Sequence, residues 1–403
     1  MAYKIVTPSV KFSAYLQSQK PLLKNGLTGV ELHTAKGRTR HIHDIIKNAP
    51  SKSFLKRGQK KEYFILDNLS SFIMDEEDIN EAYFRDTFDV IIHDNFEVSS
   101  INPTEGAISN AQSTLPDFWH KRKLNLSSLN LTGKNVNIGV LDSGIYSSHQ
   151  EFEGKLIKFA EFDALGQFKG IIPKDYGTHG THVCGLLAGN NAGVAPDVSL
   201  TVVACLTERG GTAGYLAQIL GGLNYLLEQG NNGNTDEKIH IINASIESSS
   251  GYNDYLHAAL NTAITEPGTL MVAAIGNNGS LGEDSDSSPG NYDLTLGIGA
   301  LDENDVVASF SSWGMVAQSG NISKPDLSAP GVSLYSSLSG PGNRYFQQSG
   351  TSMASPIVAG MAALLLEREP ELLLQPLKIK QKLIDLVVAI PNPVRAGHGR
   401  VNL

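Results

Sequence analysis

The feature that most constrains the fold is an alternation of strand-like and helix-like segments that begins near residue 136. Short apolar runs alternate with stretches of helical length at 136–141, 179–188, 199–206, 215–228, 239–244, 252–264 and 270–275. Such alternation predicts parallel strands joined by crossover helices, and continuously apolar strands are expected where helices cover both faces of a sheet. This part of the chain therefore predicts a three-layer α/β fold with a mostly parallel sheet.

The residues before this region predict a small α+β domain. A strand-like run at 62–66, an amphipathic segment at 75–84 with acidic residues in its first turn, and a second strand-like run at 88–92 follow one another. Residues 102–118 are rich in proline, glycine and small polar residues, which is typical of a linker. We therefore expect an extension at 1–60, an α+β domain with its linker at 61–110, and a large domain at 111–403.

Charge is distributed unevenly along the 403 residues. Residues 1–60 contain twelve Lys and Arg but only two acids, a net +10, which leaves −19 on the remainder of a chain whose total is −9. A basic arm is compatible with nucleic acid or an anionic membrane, yet the acidic body of the same chain is an equally physical partner. The arm lacks the interleaved aromatic residues of a nucleic-acid platform. We expect it to dock on its own chain, with no nucleic-acid or membrane partner.

The sequence favours a cytoplasmic protein. No window reaches the roughly 18 consecutive apolar residues of a membrane span, and the first residues do not resemble a signal peptide. The only cysteines, Cys184 and Cys205, cannot build a disulfide framework, so free thiols in a reducing compartment are expected. We interpret Cys184 as a small core residue, with a reactive thiol as the alternative.

Three polar residues stand where α/β folds place functional groups. Asp142 ends an apolar strand, His179 opens an apolar helix, and Ser352 lies at the start of another. Each residue has another explanation when taken alone. Asp142 is compatible with a turn residue and Ser352 with a helix cap. His179 is compatible with a surface histidine or, together with His182, with half of a metal site. Together they supply a nucleophile, a base to accept its proton and a carboxylate to orient that base.

The sequence around these residues resembles the subtilisin-like serine peptidases, the subtilase family. The resemblance rests on three motifs in the family's order: Val-Leu-Asp-Ser-Gly at 140–144, His-Gly-Thr-His-Val at 179–183 and Gly-Thr-Ser-Met-Ala-Ser-Pro at 350–356. It extends through 273–279, 309–314, 329–331 and 397–402, and covers about 111–403. It implies a three-layer subtilisin-like fold and a serine endopeptidase with Asp142, His179 and Ser352 as its triad, and Asn277 as the oxyanion residue.

The resemblance also places substrate recognition on two backbone edges, at 210–214 and 244–247, between which a peptide would lie as an added strand. The residues expected to bind substrate are Gly210, Gly211, Gly214, Ser245, Ile246, Glu247, Ile275 and Gly276. Relatives commonly have glycine in place of Glu247 and alanine in place of Ile275. Glu247 either favours a basic residue near the scissile bond or is a solvated surface acid.

No cofactor is expected. Many relatives hold calcium in a loop after the histidine helix, but the corresponding loop at 188–196 is too short for that insertion, and no metal ligand is predicted. A weaker calcium or other cation site made of backbone carbonyls near 289–292 is compatible with the sequence.

Residues 62–100 resemble the α+β propeptide of the family, which implies a domain that assists folding and then inhibits the active site. We therefore predict a zymogen that cleaves itself near Asn110, with its own amino-terminal domain as intramolecular inhibitor. Limited intracellular processing of a peptide or protein substrate is favoured over general protein turnover. The alternatives from other classes are a latent peptide-binding protein without turnover and a metal-dependent hydrolase.

Overall fold

The computed structural model describes residues 3–8, 63–66, 69, 71–75, 81, 90–101, 103–109, 115–230, 235–248 and 251–403. Most of the basic stretch, nearly all of the predicted helix at 75–84 and the predicted cleavage point at Asn110 lie outside these residues.

The described strands and helices have the following bounds. The strands are β1 (Tyr3–Pro8), β2 (Tyr63–Leu66), β3 (Ser71–Asp75), β4 (Val90–Asp94), β5 (Glu97–Ser100), β6 (Thr104–Ser109), β7 (Asn137–Asp142), β8 (Ile157–Phe162), β9 (Phe168–Gly170), β10 (Ser199–Ala204), β11 (Ala213–Tyr215), β12 (Ile241–Ala244), β13 (Ile246–Ser248), β14 (Leu270–Ala274), β15 (Leu296–Leu301), β16 (Gly314–Val316), β17 (Ile322–Lys324), β18 (Leu327–Pro330), β19 (Leu334–Ser337) and β20 (Tyr345–Ser349). The α-helices are α1 (Trp119–Lys123), α2 (Leu126–Leu129), α3 (His179–Ala188), α4 (Leu216–Glu228), α5 (Asp254–Thr265), α6 (Thr351–Arg368), α7 (Pro376–Asp385) and α8 (Pro393–Ala396).

The large domain is built on an eight-stranded sheet in the order β18-β15-β14-β12-β7-β10-β8-β9. Every neighbouring pair from β18 to β8 is parallel, and only the short edge strand β9 is antiparallel. The prediction of a mostly parallel α/β sheet is confirmed. Strand β7 lies near the middle of the sheet. Since Asp142 is the last residue of β7, it stands at the carboxyl edge of the sheet, where parallel sheets place their sites.

Helices cover both faces of this sheet. Ile138 and Val140 of β7 belong to a core shared with α3 and α6, whereas Leu141 belongs to a second core shared with α4 and α5. This division follows from the alternation of side chains along a strand. None of the described helices combines the length and the apolar character needed to cross a bilayer.

A four-stranded antiparallel sheet, in the order β2-β3-β1-β4, forms the amino-terminal domain. The sequence division assigned 1–60 to a separate extension, but the structure places Tyr3–Pro8 between β3 and β4, inside the sheet. Tyr255 of α5 donates a hydrogen bond to Ser71 of this sheet, and Asn95, just after β4, accepts one from the backbone of Ala217 at the start of α4.

Candidate active site

The carboxylate of Asp142 and the ring of His179 are in contact at the carboxyl edge of the sheet. His179 Nδ1 lies 2.9 Å from Oδ1 and 3.1 Å from Oδ2 of Asp142. Asp142 is fully buried, and its Oδ1 also accepts a hydrogen bond from the backbone of Ser143. A carboxylate held in this way fixes the ring orientation and directs Nε2 away from itself.

Asp175 holds together the two segments that carry this pair. Its carboxylate accepts hydrogen bonds from Ser143 Oγ, which follows Asp142, and from the backbone and hydroxyl of Thr181, in the first turn of α3. Glycine permits the close approach of these segments, since a Cβ on Gly180 would lie 2.2 Å from the carbonyl oxygen of Gly144.

The pKa of His179 is raised above its ordinary value. Burial of the ring disfavours the charged form and is the largest single influence, but the nearby carboxylates of Asp142 and Asp175 together outweigh it. The site therefore stabilises an imidazolium, which is the form that a histidine takes after it accepts a proton.

Ser352 is the second residue of α6 and is fully buried. Its position in the first turn places it at the positive end of the helix dipole. A network of buried side chains beneath the helix holds it there. Ser245 Oγ donates to the carbonyl oxygen of Ser352, and Ser355 Oγ donates to Asn243, whose amide in turn donates to Ser245.

The amide of Asn277 has a defined orientation. Its Oδ1 accepts hydrogen bonds from the backbone nitrogen of Thr351 at 2.9 Å and from the hydroxyl of Thr351 at 3.0 Å. Since both partners donate, the amide oxygen faces Thr351 and the NH₂ group faces the opposite side, beside Gly350. A donor is thus held beside Gly350, two residues before Ser352.

A cleft between β11 and β13 leads to Ser352, and the chain itself fills it. Strand β5 pairs with β11 on one side and with β13 on the other, antiparallel to both. Gly214 lies opposite Val98, Glu247 opposite Ser99 and Ile246 opposite Ser100. The two backbone edges expected to bind substrate therefore bind residues of the amino-terminal segment.

This segment brings Ile101 to the nucleophile. The hydroxyl of Ser352 donates a hydrogen bond to the carbonyl oxygen of Ile101 over 3.4 Å, and the side chain of Ile101 is fully buried. His179 Nε2 is buried and has no hydrogen-bond partner among the described residues. In this state the serine hydroxyl is directed at a peptide carbonyl rather than at the histidine.

The other residues expected to bind substrate lie around this cleft. Gly210 and Gly211 form the turn before β11. Ile275 is fully buried, and Gly276 donates its backbone N–H to the hydroxyl of Thr351. Glu247 accepts a hydrogen bond from Ser287, and burial raises the pKa of its carboxyl group.

Sequence reasoning missed three contributors to this site: Asp175, Thr351 and Ile101. Asp175 and Thr351 lie within or just before motifs that were recognised, so their position next to His179 and Ser352 was an available signal. No local pattern marks Ile101, because it reaches Ser352 only through strand pairing with residues more than 100 positions away.

The geometry gives no support to the alternative of a reactive Cys184 thiol. Cys184 is fully buried, and burial raises the pKa of its thiol well above the ordinary value, which disfavours a reactive thiolate. The described residues contain no group of three acidic, histidine or cysteine side chains suited to a metal ion. Just beyond 289–292, the carbonyl oxygens of Asp293 and Thr295 accept hydrogen bonds from the ammonium group of Lys380.

Comparison with known proteins gives concordant matches. The model of the subtilase family of peptidases matches residues 133–396. Serine protease AprX of Bacillus subtilis is 35% identical over 290 residues, which are 64% of this chain and 63%, less than two thirds, of that protein. Subtilisin DY of Bacillus licheniformis is 34% identical over 277 residues, 67% of this chain and 90% of that protein. A cold adapted subtilisin-like serine proteinase of known structure aligns with a TM-score of 0.54 and 28% identity, covering 68% of this chain and 89% of that one.

Proposed function

The chain belongs to the subtilase family of serine endopeptidases, and on that premise we propose that it hydrolyses peptide bonds by acyl transfer through Ser352. One observation carries the proposal. The hydroxyl of Ser352 is 3.4 Å from the carbonyl oxygen of Ile101, on an extended segment bound between two strand edges as a substrate would be.

In the proposed mechanism His179 accepts the proton of Ser352 while Oγ attacks the carbonyl carbon. Asp142, in contact with Nδ1, stabilises the imidazolium that forms. The imidazolium then donates its proton to the departing amine, and the C–N bond breaks. Water, activated by the same histidine, hydrolyses the acyl-enzyme. Because the base must be neutral to act, kcat/KM should fall as pH drops through the raised pKa of His179.

The negative oxygen of the tetrahedral intermediate needs hydrogen-bond donors. We assign this role to the NH₂ group of Asn277 and the backbone N–H of Ser352. The two hydrogen bonds from Thr351 to the amide oxygen of Asn277 support the assignment, since they fix the donor before the charge develops.

We further propose that the chain is a self-inhibited zymogen whose first cleavage falls between Ile101 and Asn102. Residues 97–101 occupy the cleft, and the carbonyl of Ile101 is the one that faces Ser352. The buried side chains of Val98 and Ile101 support a preference for aliphatic residues at the corresponding positions of a substrate. This cleavage point lies nine residues before Asn110.

The biological role that we propose is limited intracellular processing of a peptide or protein, rather than general turnover. Two features support it. The half-buried carboxyl group of Glu247, on the strand β13 that borders the cleft, supports selection among substrate residues rather than broad specificity. Both cysteines are unpaired and buried, as is usual in a reducing compartment.

A fluorophosphonate probe tests the activity directly. The full-length protein should first lose residues 1–101, so that amino-terminal sequencing begins Asn-Pro-Thr, and should then react with the probe at Ser352. The Ser352→Ala variant is the matched control and should remain intact and unlabelled.

The other outcomes separate the alternatives. A folded, full-length chain that never reacts, even after the amino-terminal domain has been removed by another protease, would favour the latent peptide-binding protein. Labelling with a new amino terminus at residue 111 and no species beginning at 102 would refute the cleavage point. Activity that is lost on chelation would favour a metal-dependent hydrolase.

A further inference from the structure

The polypeptide continues through the candidate active site in a single direction. Strand β5 leads to Ile101 at Ser352, Pro103 follows, and β6 then runs antiparallel along β20. Strand β20 itself leads through Gly350 into α6, which carries Ser352. Any polypeptide that passes Ser352 in this direction meets the same edge of β20, on the side where the leaving group of a substrate would lie.

One edge of β20, the edge that pairs with β6, can bind a single strand. Its other edge already pairs with β19, and the three strands form a sheet in the order β19-β20-β6. Thr104 lies opposite Ser349, at the end nearest the nucleophile, and the pairing continues across one irregularity to Ser109, opposite Tyr345. The leaving-group half of the cleft is therefore filled by residues of the chain.

Buried side chains hold this edge rigidly. Tyr345 is fully buried, and its hydroxyl donates a hydrogen bond to the buried carboxylate of Glu151. His182 Nε2 donates to the carbonyl oxygens of Leu334 in β19 and Phe346 in β20, and burial lowers the pKa of this histidine to about 3, so the ring remains neutral. These contacts hold β20 through residues outside β6.

Cleavage after Ile101 would separate these two halves of the bound segment. Strand β5 and the sheet of the amino-terminal domain would be on the released piece, whereas β6 would stay linked to the peptidase domain through 110–118. Just beyond it, α1 is anchored by hydrogen bonds from Lys121 to Asn191 and between His120 and the carbonyl of Ala192. A short tether of this kind keeps the strand at an effective concentration in the millimolar range.

We propose, on the basis of the function proposed above, that β6 competes with substrates for the β20 edge, where the residues after the scissile bond bind. After the first cleavage, β6 remains there as an intramolecular competitor. The cleaved enzyme then accepts substrates with a small leaving group freely. Peptides that extend several residues beyond the scissile bond must first displace β6.

Two substrates that share the residues before the scissile bond test this competition. One is the p-nitroanilide of Val-Ser-Ser-Ile (98–101), and the other is an internally quenched peptide of residues 97–109. The enzyme carries Ile108→Pro and Ser109→Pro. Since neighbouring residues of a strand direct their N–H groups to opposite sides, one of these changes removes an N–H that faces β20. The matched control carries threonine at both positions and keeps both N–H groups.

We expect the proline variant to lower KM for the long peptide at least about tenfold relative to the cleaved wild type and the threonine control. The kinetics on the anilide should be equal in all three, which also reports correct folding. An unchanged ratio between the two substrates, or a gain on both, would overturn the inference. Turnover of neither substrate by any of the three would instead refute the proposed function.

Hydrogen exchange on the wild-type protein gives a test that needs no variant. Backbone amides of Tyr345–Ser349 that are protected in the full-length chain should stay protected after cleavage and loss of residues 1–101. Faster exchange of these amides in the cleaved enzyme would show that β6 leaves with the first cut, and would overturn the inference.

Discussion

Replacing Thr351 by valine tests how the oxyanion donor is held in place. The Thr351 hydroxyl donates to Oδ1 of Asn277 and accepts the backbone N–H of Gly276, at 3.0 and 3.2 Å. The residue is fully buried, and valine has nearly the same shape. The substitution therefore removes two hydrogen bonds with little change in packing. The backbone nitrogen of Thr351 still donates to Asn277.

The expected costs follow from these contacts. Loss of one neutral hydrogen bond costs about 0.5–1.5 kcal/mol, and an unsatisfied buried N–H about 1–3 kcal/mol. Complete loss of the oxyanion asparagine costs about 3–4 kcal/mol in subtilisin, the type enzyme of the family, a magnitude taken from that enzyme. Since one of two hydrogen bonds to the Asn277 oxygen remains, we expect a partial effect: kcat lower by about tenfold, or about 1.4 kcal/mol, with KM unchanged.

A double-mutant cycle with Asn277→Ala separates positioning from simple destabilisation. If Thr351 acts through Asn277, valine at 351 should cost almost nothing in kcat once residue 277 is alanine. Steady-state kinetics on a short anilide measure all four enzymes, with active-site titration to count competent molecules. Thr351→Ser, which keeps the hydroxyl, should retain most of the wild-type kcat.

Equal losses in kcat from Thr351→Val in both backgrounds would refute the reasoning. So would a loss that Thr351→Ser reproduces in full, because the hydroxyl would then not be the group that matters.

Burial of neutral imidazole lowers the pKa of three histidines: to about 4 for His120, about 3 for His182 and about 4 for His240. In the unfolded chain these rings take up a proton near pH 6.5. Unfolding therefore binds protons below that pH, and the free energy of unfolding should fall as the pH drops toward 4. Denaturant titrations of the inactive Ser352→Ala chain at pH 7 and pH 5 measure this free energy, and equal values would contradict the prediction. Lys380→Met removes an ammonium group that binds two backbone carbonyls and the carboxylate of Asp326. We expect the variant to have a lower melting temperature. Added potassium or calcium should partly restore it by binding the same oxygen atoms, and should raise the melting temperature of the parent chain less. Glu247→Gln should reduce cleavage of library peptides that carry a basic residue near the scissile bond, and an unaltered profile would dismiss a role of Glu247 in specificity.

Much of the peptidase domain could be predicted from the sequence because its signals are local. The apolar run that forms β7 is followed at once by Asp142, so the carboxylate had to lie at the end of a buried strand. His179 and Ser352 are each followed at once by an apolar helical pattern, so both were predicted in the first turn of a buried helix. Crossover connections between parallel strands then bring such strand and helix ends to one edge of the sheet.

The amino-terminal domain was harder to predict because its order depends on distant pairing. Only residues 3–6 have a weak strand pattern, yet the strand β1 that contains them pairs with β3 and β4, more than 60 positions away. Nothing in its own composition specifies these partners. A strand joins a sheet through backbone groups that every residue carries, so the sequence marks the strand without marking its neighbours.

Local sequence patterns specify which catalytic groups stand at which ends of the strands and helices of the peptidase domain. The contacts that these groups make with distant parts of the chain are seen only in the tertiary structure. It brings Ile101 to Ser352, Asp175 across to the segments of Asp142 and His179, and β6 onto β20. These contacts join residues that are distant along the chain, and their geometry exists only once the layers have packed. Local periodicity records the burial of each segment, but it carries no information about which distant backbone lies alongside it.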